Sequence, residues 1–289
     1  MLSLLRAADE ADAGASDWME KDLRDHWEGL DLDRDAWLVE IDGRLGGYAD
    51  FEDRGGGRML ADGYVHPAAR GRGVGTRLLR LTEERACERL AGTEGRAYLQ
   101  NASLAAAEEL YEPHGYRSVR RFRKMVISLD GEPSVPATPG VELRPLRLEE
   151  APEVHLVLEE AFADNWEYRP RTFEEYARRT FHREDFDPAL CLVAQAGGEL
   201  AGASLNYWKS EGDWGYIGTI GVRPAWRRRR IGEALMLASF AEFFRRGERR
   251  VALGVDAQNE TGAARLYERL GMRALWEAVV WEKELRPGV

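Results

Sequence analysis

One stretch suited to ligand binding occurs twice in the sequence, as VHPAARGRGVGTRLL at residues 65–79 and as VRPAWRRRRIGEAL at residues 222–235. Each copy has the pattern of an apolar strand end, a proline turn, an arginine-rich loop and an amphipathic helix. Glycines let successive backbone amides converge, and amides that converge at a helix N-terminus bind anions. Arginine adds positive charge and forked donors suited to phosphate. The repeat therefore predicts two sites for adjacent phosphates.

The two loops differ in detail. Neither GKS, GKT nor GxGxxG spacing is present, which argues against a P-loop and a dinucleotide fingerprint. The position of Gly73 holds Arg230 in the second copy, and a side chain there costs on the order of 1 kcal/mol if the backbone needs a positive φ. Candidate residues of the first loop are Arg70, Gly71, Arg72, Gly73, Val74, Gly75 and Thr76. Those of the second are Arg227, Arg228, Arg229, Arg230, Ile231, Gly232 and Glu233.

A tyrosine motif follows each loop at almost the same distance. The segments are LYEPHGY at 110–116 and LYERLGM at 266–272, so Tyr111 lies 36 residues after Gly75 and Tyr267 lies 35 residues after Gly232. This pairing resembles the GNAT superfamily of acyl-CoA N-acyltransferases, whose members combine an R/QxxGxG/A pyrophosphate loop with a downstream LYxxxGF/M segment. The resemblance spans nearly the whole chain as two tandem domains, an architecture similar to that of mycothiol synthase.

The resemblance implies an acetyl-CoA site, with CoA as the product. In GNAT domains the strand before the loop splays from its neighbour, and the pantetheine arm lies in the gap like an added strand. This implies that the backbones of Val65, Ile220 and Val222 bind the cofactor. The segment VDAQN at 255–259 resembles the fifth strand of the family and the asparagine that follows it, which implies a pantetheine contact for Asn259.

The same resemblance implies that Tyr267 and Tyr111 are catalytic. A thiol has a reference pKa of about 8.5 and a tyrosine about 10, so the tyrosine stays protonated and can donate to a departing thiolate. Fewer residues separate Asn259 from Tyr267 than separate Asn101 from Tyr111. This difference favours the second domain as the catalytic one.

No general base follows from the motifs. Many family members have a glutamate on the strand before the loop, where this chain has Met59 and Tyr216; Asp256, Asp213 and a water chain are alternatives. The favoured activity is N-acetyltransfer to a small-molecule amine by direct attack. A CoA-binding sensor or partner-binding module with degenerate sites, and an acetyltransferase for protein lysines, remain open. The acceptor is expected at the segments 18–30 and 168–181.

Composition limits the other classes of function. The 289 residues carry a formal net charge of −10, which disfavours nucleic-acid binding and suits a cationic acceptor. Two cysteines exclude a disulfide scaffold, and five histidines show no metal-ligand spacing, so no metal is predicted. No apolar segment approaches 18 residues. We therefore expect a cytoplasmic protein without membrane contact, as a monomer or a weak homodimer.

The order of apolar patterns predicts an α/β fold with two tandem domains, each a mixed, mostly antiparallel sheet flanked by helices. Expected domains are 1–130 and 141–289, joined by a Pro/Gly-rich linker at 131–140. Residues 2–6 are expected as a strand, residues 102–112 as a helix, and Asp42 with Gly43 as a type I′ hairpin turn.

Overall fold

A computed structural model describes residues 1–14, 16, 18–90, 94–104, 107–183, 186–208, 214–259 and 261–286. The chain divides into two units. Unit 1 comprises Met1–Arg123 and Trp276–Val289, and unit 2 comprises Lys124–Leu275.

Unit 1 is an α/β structure built from the N-terminal half of the chain. Its helices are α1 (Leu2–Ala13), α2 (Glu20–Trp27), α3 (Leu32–Asp35), α4 (Val74–Arg89) and α5 (Glu108–Tyr111). The strands of this half are β1 (Ala36–Ile41), β2 (Arg44–Asp53), β3 (Arg58–Val65), β4 (Ala97–Leu104) and β5 (Arg117–Ser128).

The second half of the chain repeats the order of three strands, helix, strand, helix and strand, but it begins with a strand and two helices instead of three helices. Its helices are α6 (Ala151–Phe162), α7 (Phe173–Arg179), α8 (Ile231–Arg245) and α9 (Ala263–Arg269). The strands of this half are β6 (Val141–Pro145), β7 (Leu192–Ala196), β8 (Glu199–Tyr207), β9 (Gly215–Val222), β10 (Arg250–Asp256) and β11 (Arg273–Arg286). Residues 131–140, predicted as the linker, contain no helix or strand and lie within unit 2 rather than between the two units.

Each unit has a mixed, mostly antiparallel sheet, so the predicted fold class is confirmed. The strand order is β1-β2-β3-β4-β11 in unit 1, and β10-β9-β8-β7-β6 in unit 2 with the end of β5 beside β10. The pair β3/β4 is parallel, as is β9/β10, whereas the other pairs with a described register are antiparallel. Parallel neighbours need a crossover, which α4 and α8 provide.

Helices cover both faces of each sheet. In unit 1 a Cβ on Gly47 would meet Val74 and Leu78 of α4, whereas the next residue, Tyr48, packs with Leu4 and Leu5 of α1. Successive residues of a strand face opposite sides, so α1 and α4 lie on opposite faces. In unit 2, α6 packs on Gly221 and α8 packs on Gly202 in the same way.

The last strand belongs to unit 1, which differs from the predicted domain boundaries. β11 pairs with β4 from Ala278↔Leu104 onwards, and its buried Trp281 packs in the core of unit 1. Conversely, Met125 of β5 lies in the core of unit 2. Strand pairing over such sequence separations leaves no local signal, whereas the prediction assumed that each half closes with its own last strand.

Two element predictions were wrong and one turn was confirmed. Residues 2–6 form the first turns of α1, because the apolar Leu4, Leu5 and Ala8 recur at helical spacing. Residues 102–104 continue β4, and α5 begins only at Glu108. Asp42 and Gly43 have φ of 52° and 70°, as a type I′ turn requires. Among the described helices, none combines the length and apolarity needed to cross a membrane.

Candidate active site

The first arginine-rich loop ends at an uncapped helix. Gly71 and Gly73 have φ of 71° and 79°, and Gly73 is the N-cap of α4 without a side-chain hydrogen bond. The amides of Arg70 and Arg77 donate to carbonyls of the loop, but those of residues 71–76 have no protein acceptor in the described part of the chain. Free amides at the positive end of a helix dipole form an anion site.

The second loop has the same backbone without glycine. Arg228 and Arg230 have φ of 63° and 62°, matching Gly71 and Gly73 in the first loop. Arg230 is the N-cap of α8, also without a side-chain hydrogen bond. The strain predicted for Arg230 therefore exists, and Arg228 adds a second strained position that the sequence analysis missed.

Replacing either strained arginine by glycine should stabilise unit 2. Arg228→Gly and Arg230→Gly should each raise the free energy of unfolding by about 1 kcal/mol in urea titrations, because glycine adopts a positive φ without a Cβ clash. Arg229→Gly is the matched control: Arg229 has no positive φ and its guanidinium lies 4.6 Å from the Trp226 ring, so this change should bring no gain. Equal effects at all three positions would contradict the strain.

The arginine side chains of the loops are largely engaged. Arg227 donates to the carbonyls of Ala161 (2.9 Å) and Val222 (3.4 Å), which holds it against α6 and β9. Arg230 pairs with Glu233 through two hydrogen bonds of 3.1 and 2.7 Å. In the first loop Arg70 pairs with Asp12 and Arg72 with Asp42. Arg228 has no ion pair among the described residues. Exposed pairs of this kind are weak, so phosphate can displace them.

Each loop follows a strand that leaves its parallel neighbour. β9 pairs with β10 only at Gly215↔Val251 and Tyr216↔Ala252, although β9 continues to Val222. In unit 1, β3 pairs with β4 as far as Ala61↔Asn101 and continues to Val65. The backbones of Ile220, Val222 and Val65 therefore lie on open strand edges, as the resemblance implied. An extended ligand can pair with such an edge.

A β-bulge lies in β9 just beyond its last pair with β10. The register of β8 against β9 jumps from Leu205↔Thr219 to Asn206↔Ile217, which leaves Gly218 as the extra residue. A Cβ on Gly218 would lie 2.4 Å from the Tyr207 ring, so only glycine fits there. A bulge bends its strand and disrupts the ladder locally. The corresponding pair β2/β3 has an unbroken register.

Both predicted tyrosines are buried and protonated at neutral pH. Tyr267 of α9 is 7% exposed, and burial raises its pKa to about 12. Its hydroxyl has no hydrogen-bond partner in the part of the protein described. Tyr111 of α5 stacks on Trp281 with ring centroids 5.3 Å apart. Burial raises the pKa of Tyr111, and the nearby carboxylate of Asp62 raises it further.

The asparagines at the strand ends are placed differently in the two units. Asn259 lies after β10; its Oδ1 accepts from the amide of Thr261 at 2.7 Å, and its Nδ2 lies 3.4 Å from Asn165 Oδ1. The amide group of Asn259 is thus oriented by its own turn. In unit 1, Asn101 lies inside β4, is buried, and its Nδ2 has no partner among the described residues.

The candidate base positions carry no free carboxylate. Met59 is fully buried, and Tyr216 lies under the ammonium of Lys124 at 5.8 Å. Asp256 accepts from the amide of Gln258 at 2.9 Å. Asp213 lies outside the described residues. The sequence analysis did not single out Asp50, Asp62 and His26, whose ligand atoms lie within 4.8 Å of one another in unit 1. The sequence signal that could have identified these residues is the occurrence of acidic residues at alternate positions within apolar strands.

Comparison with known proteins identifies the family. The model of the acetyltransferase (GNAT) family matches residues 158–272, and that of the acetyltransferase (GNAT) domain matches residues 33–118. The mycothiol acetyltransferase of Geodermatophilus obscurus is 32% identical over 293 residues, which cover 98% of this chain and 93% of that protein. The mycothiol acetyltransferase of Thermobispora bispora is 35% identical over 81% of this chain and 79% of that protein.

Solved structures agree with this fold. A GCN5-related N-acetyltransferase from Sphaerobacter thermophilus is 36% identical, with a TM-score of 0.87 over 100% of this chain and 92% of that one. A tandem GNAT protein from the clavulanic acid biosynthesis pathway has a TM-score of 0.73 over 100% of this chain and 94% of that one. At 20% identity, the second likeness concerns the fold alone.

Proposed function

Since the chain belongs to the GNAT family of acetyltransferases, we propose that it acetylates the amine of a small molecule by direct attack on acetyl-CoA. The carrying observation is that each unit combines an open parallel strand edge, a loop of free amides at a helix start and a buried, protonated tyrosine. Acetyl-CoA supplies an activated acetyl thioester and a thiol leaving group.

The open edges and the helix starts fit the cofactor. In unit 2 the backbones of Ile220 and Val222 would pair with the pantetheine amides, and Asn259 would bond the same arm. The amides of residues 228–233 would hold the pyrophosphate, with Arg228 and Arg229 adding charge. In unit 1, Val65 and the amides of residues 71–76 have these roles, with Arg70 and Arg72 in place of the second loop's arginines.

Tyr267 and Tyr111 are proposed as the proton donors of their units. A hydroxyl with a pKa raised by burial is fully protonated at neutral pH, so each tyrosine can donate to the departing thiolate. Both side chains are held by packing, which fixes the direction of the hydroxyl. Tyr111 is held by stacking on Trp281, and Tyr267 lies in the core between α8 and β10.

The acceptor is proposed to be a small, cationic amine. The acidic net charge of −10 favours such a ligand over nucleic acid. Two relatives that align with 98% and 81% of this chain are named mycothiol acetyltransferase, so the amine precursor of mycothiol is the first acceptor to test. We place this activity in the cytoplasm, in a monomer or weak homodimer.

Thiol release from acetyl-CoA tests the proposal. The purified chain should release CoA only when an amine is added, and the panel should contain the mycothiol precursor, an aminoglycoside, spermidine and amino acids. Titration calorimetry of CoA gives the parallel binding measurement. Binding of CoA without turnover of any amine would favour a sensor and contradict the proposal. Acetylation of a protein target that small amines cannot compete away would redirect it to protein lysines.

A further inference from the structure

Three titratable side chains meet on the α1/α2 side of the unit 1 sheet, outside the cofactor contacts. Asp50 of β2 and Asp62 of β3 are opposite one another in the strand register, so both point to the same face. His26 of α2 covers them, and ligand atoms of the three groups lie within 4.8 Å of one another. We refer to these residues as the His26–Asp50–Asp62 cluster.

The two carboxylates of the cluster differ in their bonding. Asp50 is 3% exposed and accepts hydrogen bonds from His26 Nε2 at 2.7 Å and from the Tyr48 hydroxyl. The Tyr48 hydroxyl in turn accepts from Trp27 Nε1 at 2.6 Å. Asp62 is partly exposed and has neither a hydrogen bond nor an ion pair with any residue that the structure describes. Asp50 therefore orients His26, while the carboxylate of Asp62 is available to a ligand.

Asp62 lies at the mouth of the gap between β3 and β4. It directly follows Ala61, the last residue of β3 paired with β4. Its charge raises the pKa of Tyr111, which packs with Ala61 on the opposite face of the sheet. At the last paired position of β4, Asn101 Nδ2 is buried without a partner. At the point where the strands separate, Asp62 therefore lies on one face of the sheet, and Tyr111 and Asn101 lie on the other.

The positions of unit 2 that correspond to Asp50 and Asp62 carry no carboxylates. The residue three positions before the end of β9 is Thr219, and it stands opposite Leu205 of β8. In unit 1 the same two positions hold Asp62 and Asp50. The helix face over β9 is also filled, because a Cβ on Gly221 would lie 2.8 Å from Ala161 of α6.

The surroundings of Asp62 set its protonation. Burial raises the pKa of Asp62 to about 6, and Asp50 and then Glu52 raise it, whereas His26 and Arg54 lower it. Asp50 also raises the pKa of His26, through their hydrogen bond. Asp50 and Glu52 of β2, Arg54 after β2 and His26 of α2 thus act electrostatically on Asp62, and the charge of Asp62 in turn raises the pKa values of His26, Tyr48, Tyr64 and Tyr111.

We propose that unit 1 is an acetyl-transfer centre in which Asp62 binds the acceptor ammonium and takes its proton, with His26 held by Asp50 as the group that positions and tunes Asp62. The proposal rests on the proposed function and reverses the sequence-based expectation that the second domain does the chemistry. A carboxylate that is ionised just above pH 6 is a base matched to neutral pH.

Asp62 accepts one proton from the ammonium, and the neutral nitrogen forms a C–N bond to the acetyl carbonyl carbon as the C–S bond breaks. Tyr111 gives its proton to the leaving thiolate and regains one from the nitrogen, which ends as an amide. The proton on Asp62 returns to solvent, so the products are the acetylated amine, CoA and one proton.

A metal site at the cluster is the less favoured use of the same atoms. His26 Nε2 already contacts Asp50, and Asp50 also binds Tyr48. A cation would have to break both interactions to obtain two ligands. The hydrogen bonds instead leave one carboxylate free, which suits an ammonium.

Asp62→Asn tests the base directly in the full chain. With the panel amine that reacts fastest with the unaltered protein, kcat/KM at pH 7 should fall about 100-fold. The unaltered chain should lose kcat/KM as pH falls below about 6, because Asp62 becomes protonated. The variant should lack this bend, and its deficit should shrink by pH 9, where more amine is neutral in solution. Asp33→Asn, which changes an exposed carboxylate of α3 outside the cluster, should change nothing.

The His26→Gln variant distinguishes a role of His26 in setting the pKa of Asp62 from a purely structural role of His26. It removes a positive charge that lowers the pKa of Asp62, so the bend in the pH profile should shift to higher pH. Unchanged profiles in both variants would overturn the proposal, as would loss of activity on chelation, which would indicate a metal centre.

Acetyl-CoA binding separates this proposal from the proposed function. Calorimetry should give the same acetyl-CoA affinity for Asp62→Asn and for the unaltered chain. If the unaltered chain turns over no panel amine, the proposed function fails, and titration of the same amines into CoA-saturated protein still tests the cluster. Weaker amine binding in Asp62→Asn supports the proposal, and equal binding overturns it.

Discussion

Tyr111→Phe should lower kcat for amine acetylation by about 100-fold, whereas Tyr267→Phe should lower it far less. Phenylalanine keeps the ring that stacks on Trp281 and removes only the hydroxyl, so the loss reports proton donation. Tyr111 lies at the same strand gap as Asp62, on the opposite face of the sheet, but Tyr267 has no carboxylate in the corresponding place. The difference between the variants therefore locates the chemistry.

The two substitutions are matched controls for each other. Both tyrosines are buried and lie at equivalent positions after their loops, so a general packing defect would affect stability in either variant. Thermal unfolding of both proteins would detect such a defect. A large loss in Tyr267→Phe with near-normal Tyr111→Phe would assign the chemistry to unit 2, in line with the sequence-based expectation.

Gly75→Asp should weaken acetyl-CoA binding at unit 1 by about 100-fold and abolish turnover. Gly75 is the second residue of α4, where a carboxylate would occupy the free amides and repel the pyrophosphate. Losing one or two charge-assisted hydrogen bonds accounts for a change of this size. Calorimetry of acetyl-CoA binding measures it, and acidic residues in a first helical turn stabilise the helix, so the fold should persist.

Gly75→Ala is the steric control. A Cβ there would lie 3.4 Å from Leu110, which is ordinary contact, so alanine should leave binding nearly unchanged. Gly232→Asp makes the same change in unit 2, where a Cβ has its nearest neighbour at 3.7 Å. It should remove any second binding site while turnover persists. Loss of turnover in Gly232→Asp alone would contradict catalysis in unit 1.

The repeat made much of the fold predictable. Loop residues such as Gly75 and the tyrosines recur at fixed spacing, and alternating apolar residues predicted most strands. The position of β11 was not predictable, because its pairing with β4 connects residues such as Ala278 and Leu104 that lie far apart in sequence. No local sequence pattern distinguishes a strand that completes the sheet of its own half of the chain from a strand that completes the sheet of the other half.

Only those features of the site that depend on backbone conformation were predictable from the sequence. The positive φ of Arg230 follows from its alignment with a glycine, and the structure gives it. Asp62 could not be predicted from the position of the base in the family, which falls on Met59, because Asp62 is the first residue beyond the paired part of β3. Where two strands separate depends on their register, which the sequence does not show.

Direct acetyl transfer to an amine is tested most directly by mass spectrometry of all components after one turnover. Protein incubated with acetyl-CoA alone should keep its mass. Addition of the acceptor amine should give one acetylated amine for each CoA released, with the protein still unmodified. An acetylated protein that passes its acetyl group to the amine, or CoA binding without any acetylated amine across the panel, would contradict the account.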